Sequence, residues 1–147
     1  MPVIGRDEIL ARVPHAGRMC LIDEVTAWDE GNIVCLASNH RRAEHPLRRF
    51  GRLSALHLIE YAAQATAIHG SLIARDQRAP PGMLAAARDF HTALATLDDL
   101  GTPLHIHARP QLLRADGTIY AFEISTFDAA GAPVPVARGR VSVMLAA

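Results

Sequence analysis

A glutamate set among alanines and leucines is where this chain's chemistry starts. Glu60 lies within LSALHLIEYAAQATAIHGSLI, Leu53 to Ile73. A carboxylate in such a segment is costly unless it is paired or functional. Burial also favours the protonated form, so such a Glu can serve as a general acid near neutral pH. His57, Glu60, Gln64 and Ser71 stand at i, i+3, i+7 and i+14, and they share one helical face. The Gln64 amide, one turn past Glu60, can hold the carboxylate or a water in place. It can equally be a core-edge amide satisfied by backbone groups. The same polar stripe also fits the solvent edge of a helix, so both readings stay open.

Histidines stand close by, and a neutral imidazole ring accepts a proton near neutral pH. His40 and His45 lie just before the segment, and His57 lies on it beside Glu60. Arg41, Arg42, Arg48, Arg49 and Arg52 crowd the same stretch. They make either a positive rim or a solvated loop. His105 and His107 share one strand face, which can begin a metal site, but no third ligand stands at metal spacing and no metal is expected. There is no nucleophile elbow, phosphate-cradling loop or dinucleotide fingerprint.

Composition narrows the classes further. The 147 residues suit one domain, 1–147, with its own core. All 15 basic residues are Arg, which removes Schiff-base lysine chemistry. A formal net charge of zero argues against a general nucleic-acid or membrane-surface binder. Cys20 and Cys35 lie in apolar runs and read as buried free thiols of a reducing compartment. The N-terminal residues lack a signal-peptide pattern, and no uncharged apolar run is long enough to span a bilayer, so the expectation is a cytoplasmic protein.

The elements that would carry these groups follow from pattern. Arg6 to Val13 reads as a short helix stopped by Pro14. Cys20 to Trp28 and Ile33 to Ser38 read as a strand hairpin around Asp29-Glu30-Gly31-Asn32. Asn39 to Arg52 is an irregular loop, Leu53 to Ile73 a long helix buried nearly all round, and Arg75 to Pro81 a turn. Strands are expected at Met83 to Phe90, Leu104 to Arg114, Ile119 to Phe127 and Val134 to Leu145. One long helix among antiparallel hairpins predicts an α+β domain with the sheet wrapped around that helix.

Two motifs carry a resemblance. Pro14-His15-Ala16-Gly17-Arg18-Met19-Cys20-Leu21-Ile22-Asp23-Glu24-Val25 resembles the N-terminal segment of the 3-hydroxyacyl-acyl-carrier-protein dehydratases. Glu60-Tyr61-Ala62-Ala63-Gln64 is similar to that family's acid-x-x-Ala-Gln signature on the central helix. Leu53-Ser54-Ala55-Leu56 before Ile59-Glu60-Tyr61 looks closest to the dehydratase-like proteins of aryl-polyene clusters. The resemblance implies a hotdog fold and elimination of water from a 3-hydroxyacyl thioester. No cofactor is implied beyond the phosphopantetheine of an acyl carrier protein or CoA.

By the same resemblance Glu60 is the acid. His45 is the provisional base, because His45-Pro46 resembles the family's His-aromatic-Pro loop, here without the aromatic residue or a preceding Gly. Gly51 to Ala55 would offer backbone N–H groups to the thioester oxygen, with Ser54 alternatively an N-cap. Arg48 and Arg49, within the Arg cluster, would meet the acidic carrier and its phosphate arm. The family implies a homodimer, or a heterodimer with a related dehydratase, in which acid and base come from different subunits. Two other functions fit these residues. One is a hotdog thioesterase, in which Glu60 activates water. The other is a non-catalytic acyl- or carrier-binding partner subunit.

Overall fold

The computed structural model describes residues 3–12, 20–74 and 82–145, with only the backbone of Gly82 and Met83. Pro14 to Met19 of the Pro-His motif and the expected turn at Arg75 to Pro81 lie outside the described residues. The elements run α1 (Arg6–Arg12), β1 (Glu24–Asp29), β2 (Asn32–Ala37), α2 (Leu58–Ile73), β3 (Gly82–Thr92), β4 (Leu104–Arg114), β5 (Gly117–Phe127) and β6 (Pro133–Leu145). The six strands form one antiparallel sheet in the order β1-β2-β4-β5-β6-β3. This is the expected α+β arrangement, with the sheet curved around one principal helix.

Alternation in the strands explains the wrap. Ile33, Cys35 and Ala37 of β2, Leu104, Ile106 and Ala108 of β4, and Tyr120, Phe122 and Ile124 of β5 are all buried. They form one core cluster with Leu58, Tyr61, Ala62, Ala65, Ile68 and Leu72 of α2. Each large side chain withdrawn from water in this way stabilises the fold by about 1.5–3 kcal/mol. Helix α2 is therefore buried on most sides. Ile59, Glu60, Ala63, Ala67 and Gly70 form the half-exposed strip that the sheet leaves uncovered.

Three boundaries differ from expectation, each for a physical reason. Residues Cys20 to Asp23 are not strand: Leu21 and Ile22 are fully buried, and the Leu21 N–H donates to the Gln64 side chain at 2.7 Å rather than to a neighbouring strand. The long helix does not begin at Leu53. Leu53 and Ser54 run extended beside residues 95–97, Ala55–His57 form a 3₁₀ turn, and the α-helix starts at Leu58. The irregular loop holds two ordered pieces, a 3₁₀ turn at Asn39–Arg41 and a two-residue hairpin at Arg49–Arg52. Both cysteines are buried free thiols, and burial pushes each thiol pKa up.

Candidate active site

Helix α2 presents consecutive residues about 100° apart, so Glu60 and Tyr61 look in different directions. Tyr61 is fully buried and reaches the loop before the helix. Its hydroxyl donates to Asn39 Oδ1 at 2.6 Å and lies 3.0 Å from His45 Nε2. The Leu47 N–H donates to His45 Nδ1 at 3.1 Å. That bond fixes the ring: the Nδ1 lone pair is taken, so Nε2 carries the proton and donates to Tyr61. Burial first, then the nearby Arg48 guanidinium, His57 and His40, lower the His45 pKa to about 4. His45 is therefore a neutral ring with both nitrogens engaged. A small recess of about 40 Å³, lined by Arg6, Asn39, Arg42, Glu44, His45 and Pro46, opens beside it.

Glu60 stands apart from this network. It is half-buried rather than enclosed, and its carboxylate makes no hydrogen bond or ion pair among the described residues. Within one chain the structure does not join it to His45. His57 is likewise half-buried one turn earlier. His40 is fully buried, with Nε2 donating to Leu100 O at 3.0 Å and Nδ1 without a partner among the described residues. Burial lowers its pKa.

Other candidates serve the scaffold in this chain. Gln64 is buried, and its carbonyl accepts the Leu21 N–H, a backbone bond of the kind the core-edge reading expects. Ser54 Oγ accepts from the Leu56 N–H at 3.2 Å and is the N-cap of the 3₁₀ turn. The donors expected for a thioester oxygen are largely consumed: Arg52 N–H bonds Arg49 O, Leu53 N–H bonds Asp98 Oδ1 and Ala55 N–H bonds Ala95 O. Gly51, at φ 73°, completes the hairpin turn, and its carbonyl accepts from Arg48. Arg48 also donates to Asp98, to Arg42 O and to His40 O, so it clamps the loop rather than facing a ligand. Arg49 donates to Pro46 O and Arg48 O. His107 Nε2 bonds Asn32 Oδ1, and His105 packs edge-on against Phe127.

Sequence reasoning missed Tyr61 and Asn39. Tyr61 sits inside the recognised motif, but nothing local says that its hydroxyl meets His45, sixteen residues earlier. A larger groove of about 820 Å³ runs along β3 and β6, lined by Phe90, Leu94, Leu100, Val134 and Val136 among others. None of the candidate catalytic side chains lines it.

Residues 8–147 match the model of the ApeP-like family, described as ApeP dehydratase. The chain belongs to the ApeP-like dehydratase family. No curated protein sequence matches it. Among solved structures, the chain resembles one from the dehydratase heterocomplex ApeI:P of Xenorhabdus doucetiae, with TM-score 0.79 and 20% identity, covering 96% of this chain and 90% of that one. It is also similar to AziG of S. sahachiroi, with TM-score 0.56 and 20% identity over 82% of this chain and 88% of that one. A third is zebra fish thioesterase superfamily member 2, with TM-score 0.59 and 18% identity over 93% and 91%. These neighbours identify the wrapped sheet as the hotdog fold. No helix among the described residues is long and apolar enough to cross a membrane.

Proposed function

We propose that this ApeP-like chain takes part in eliminating water from a 3-hydroxyacyl thioester, held on a carrier protein or CoA, as one subunit of an assembly with a second hotdog chain. One observation carries the reading: a single chain keeps its acid and its best-placed histidine apart. Glu60 stands without a partner among the described residues on the uncovered strip of α2, whereas both nitrogens of His45 are engaged. A second chain laid against that strip would take the Glu60 carboxyl out of water and bring its own base to the substrate.

The chemistry then balances simply. A base removes the proton at C2, and that electron pair forms the C2–C3 double bond. Protonated Glu60 gives its proton to the departing C3 hydroxyl, which leaves as water. The His45–Tyr61–Asn39 network holds the loop beside the helix start, and the partner supplies the base.

The test is turnover of a 3-hydroxyacyl pantetheine thioester by this chain alone, by an ApeI-type partner alone, and by the two together. The expected result is enoyl thioester from the pair, lost in Glu60→Gln. Full activity of this chain alone, abolished by His45→Ala, would return the base to His45 in a homodimer. Free acid and free thiol as products would replace the dehydratase reading with thioester hydrolysis.

A further inference from the structure

The most exposed large apolar side chain among the described residues sits where the backbone least favours it. Arg49 and Arg52 exchange both backbone hydrogen bonds, at 2.8 and 2.9 Å, and close a two-residue hairpin. The two residues between them have positive φ, 52° at Phe50 and 73° at Gly51, the type I′ pattern. Gly suits its place. A bulky side chain at positive φ is a genuine outlier, and such strain persists where the surrounding structure enforces it for a purpose. Here the surroundings do enforce it. Arg48 grips Gly51 O, Arg42 O, His40 O and Asp98, while Arg49 holds Pro46 O, so the loop is braced and Phe50 is left fully exposed at its tip.

Charge around the tip is one-sided. Of five Arg between residues 39 and 52, only Arg48 is neutralised by a carboxylate among the described residues. Arg41, Arg42, Arg49 and Arg52 are exposed, and Glu44 is the single acid in the same stretch. An apolar knob in a loop of exposed arginines fits an acidic surface with an apolar groove. The groove of about 820 Å³ on a second copy is not such a surface: it carries Arg138, and the Glu123 beside it is already paired with Arg109.

We propose that the Arg49–Arg52 tip docks an acidic carrier protein, with Phe50 entering an apolar groove between its helices and Arg41, Arg42, Arg49 and Arg52 meeting its carboxylates. This rests on the reading that the chain works on carrier-bound thioesters.

The decisive variant is Phe50→Asn, because Asn-Gly is the pair that a type I′ turn prefers. It removes the knob and relieves the strain together. The experiment measures binding of a purified acidic holo acyl carrier protein to the assembly of this chain with its partner, at low and high salt. Melting temperature and turnover of a free pantetheine thioester are measured beside it. Phe50→Asn is expected to melt about 2–5 °C higher, to bind carrier at least about tenfold more weakly, and to leave free-thioester turnover unchanged. Arg41→Glu with Arg42→Glu should weaken binding and flatten its salt dependence.

Unchanged carrier affinity in Phe50→Asn overturns the proposal. So does loss of subunit association in that variant, or binding of the tip to anionic vesicles in place of the carrier. Tight carrier binding with no enoyl product would sink the dehydratase reading and leave the docking surface standing. Turnover of the free thioester with no carrier binding would do the reverse.

Discussion

The Tyr61 hydroxyl stands 3.0 Å from His45 Nε2 and donates to Asn39 Oδ1 at 2.6 Å, so one phenol joins the central helix to both ends of the preceding loop's first half. All three residues are buried. None can replace a lost partner with bulk water, which makes this small network a determinant of the fold as well as of the site.

Tyr61→Phe removes that oxygen without changing the packing of the ring. The His45 N–H and the Asn39 carbonyl are then both left without a partner. Each orphaned buried group costs about 1–3 kcal/mol. Urea unfolding should place the variant about 2–4 kcal/mol below the parent. A loss under about 0.5 kcal/mol would mean that the network contributes nothing net.

Acid should weaken the fold. His45, with its pKa lowered to about 4, is joined by His40 and His69, whose pKa values burial also lowers. His69 Nε2 donates to Asp29 O at 2.7 Å and Nδ1 accepts from the Tyr120 hydroxyl at 2.6 Å, so a proton added at Nδ1 breaks that bond and puts a charge in a buried place. Unfolded imidazoles take up protons near pH 6.5, before the folded ones do. Between those values the unfolded chain binds more protons, so stability is intact above about pH 7 and falls as pH drops toward 4. The shift at His45 alone corresponds to about 3 kcal/mol. Urea midpoints at pH 7.5 and 5.0 should differ, and His45→Gln should narrow the gap.

Arg48 acts through geometry more than charge. Its guanidinium reaches three backbone carbonyls and the Asp98 carboxylate at once, and Asp98 in turn accepts the Leu53 N–H. The Asp98 carboxyl is held below its usual range chiefly by the hydrogen bond from Arg48. A lysine ammonium cannot reproduce a planar fork with five donors. Arg48→Lys should therefore recover less than half of what Arg48→Met loses, read as melting temperature and as protease cleavage between residues 39 and 52.

The wrapped sheet was legible because its strands alternate and its hairpins carry strong turn signals. Asp116-Gly117 between β4 and β5 is the clearest. The helix start was not. Leu53 and Ser54 belong to an apolar run with high helix propensity, yet pairing with residues 95–97 holds them extended, and that partner lies forty residues away. Cys20 to Asp23 failed in the same manner, because β-branched and apolar content cannot distinguish a ladder from a segment pinned by Gln64. At the candidate site, Glu60 and His45 were nominated from residue type and motif. Their separation within one chain could not be, since it depends on which way Tyr61 turns from the same helix.

Glu60 offers the sharpest separation of function from fold. A residue in a scaffold network costs stability when changed, as Tyr61 should. Glu60 has no hydrogen bond or ion pair among the described residues and lies on the uncovered strip of α2. Glu60→Gln keeps its size and shape, so the chain alone should unfold within about 0.5 kcal/mol of the parent. On the proposed mechanism the same change, in the two-chain assembly, removes the proton donor to the leaving hydroxyl. General acid catalysis contributes about 10²–10⁴-fold, so enoyl formation should fall by at least about a hundredfold. A variant equally stable and equally active would remove Glu60 from the mechanism. One that is inactive only because it no longer associates would make it an interface residue. Size-exclusion chromatography of the mixed chains, run beside the turnover assay, separates those two failures.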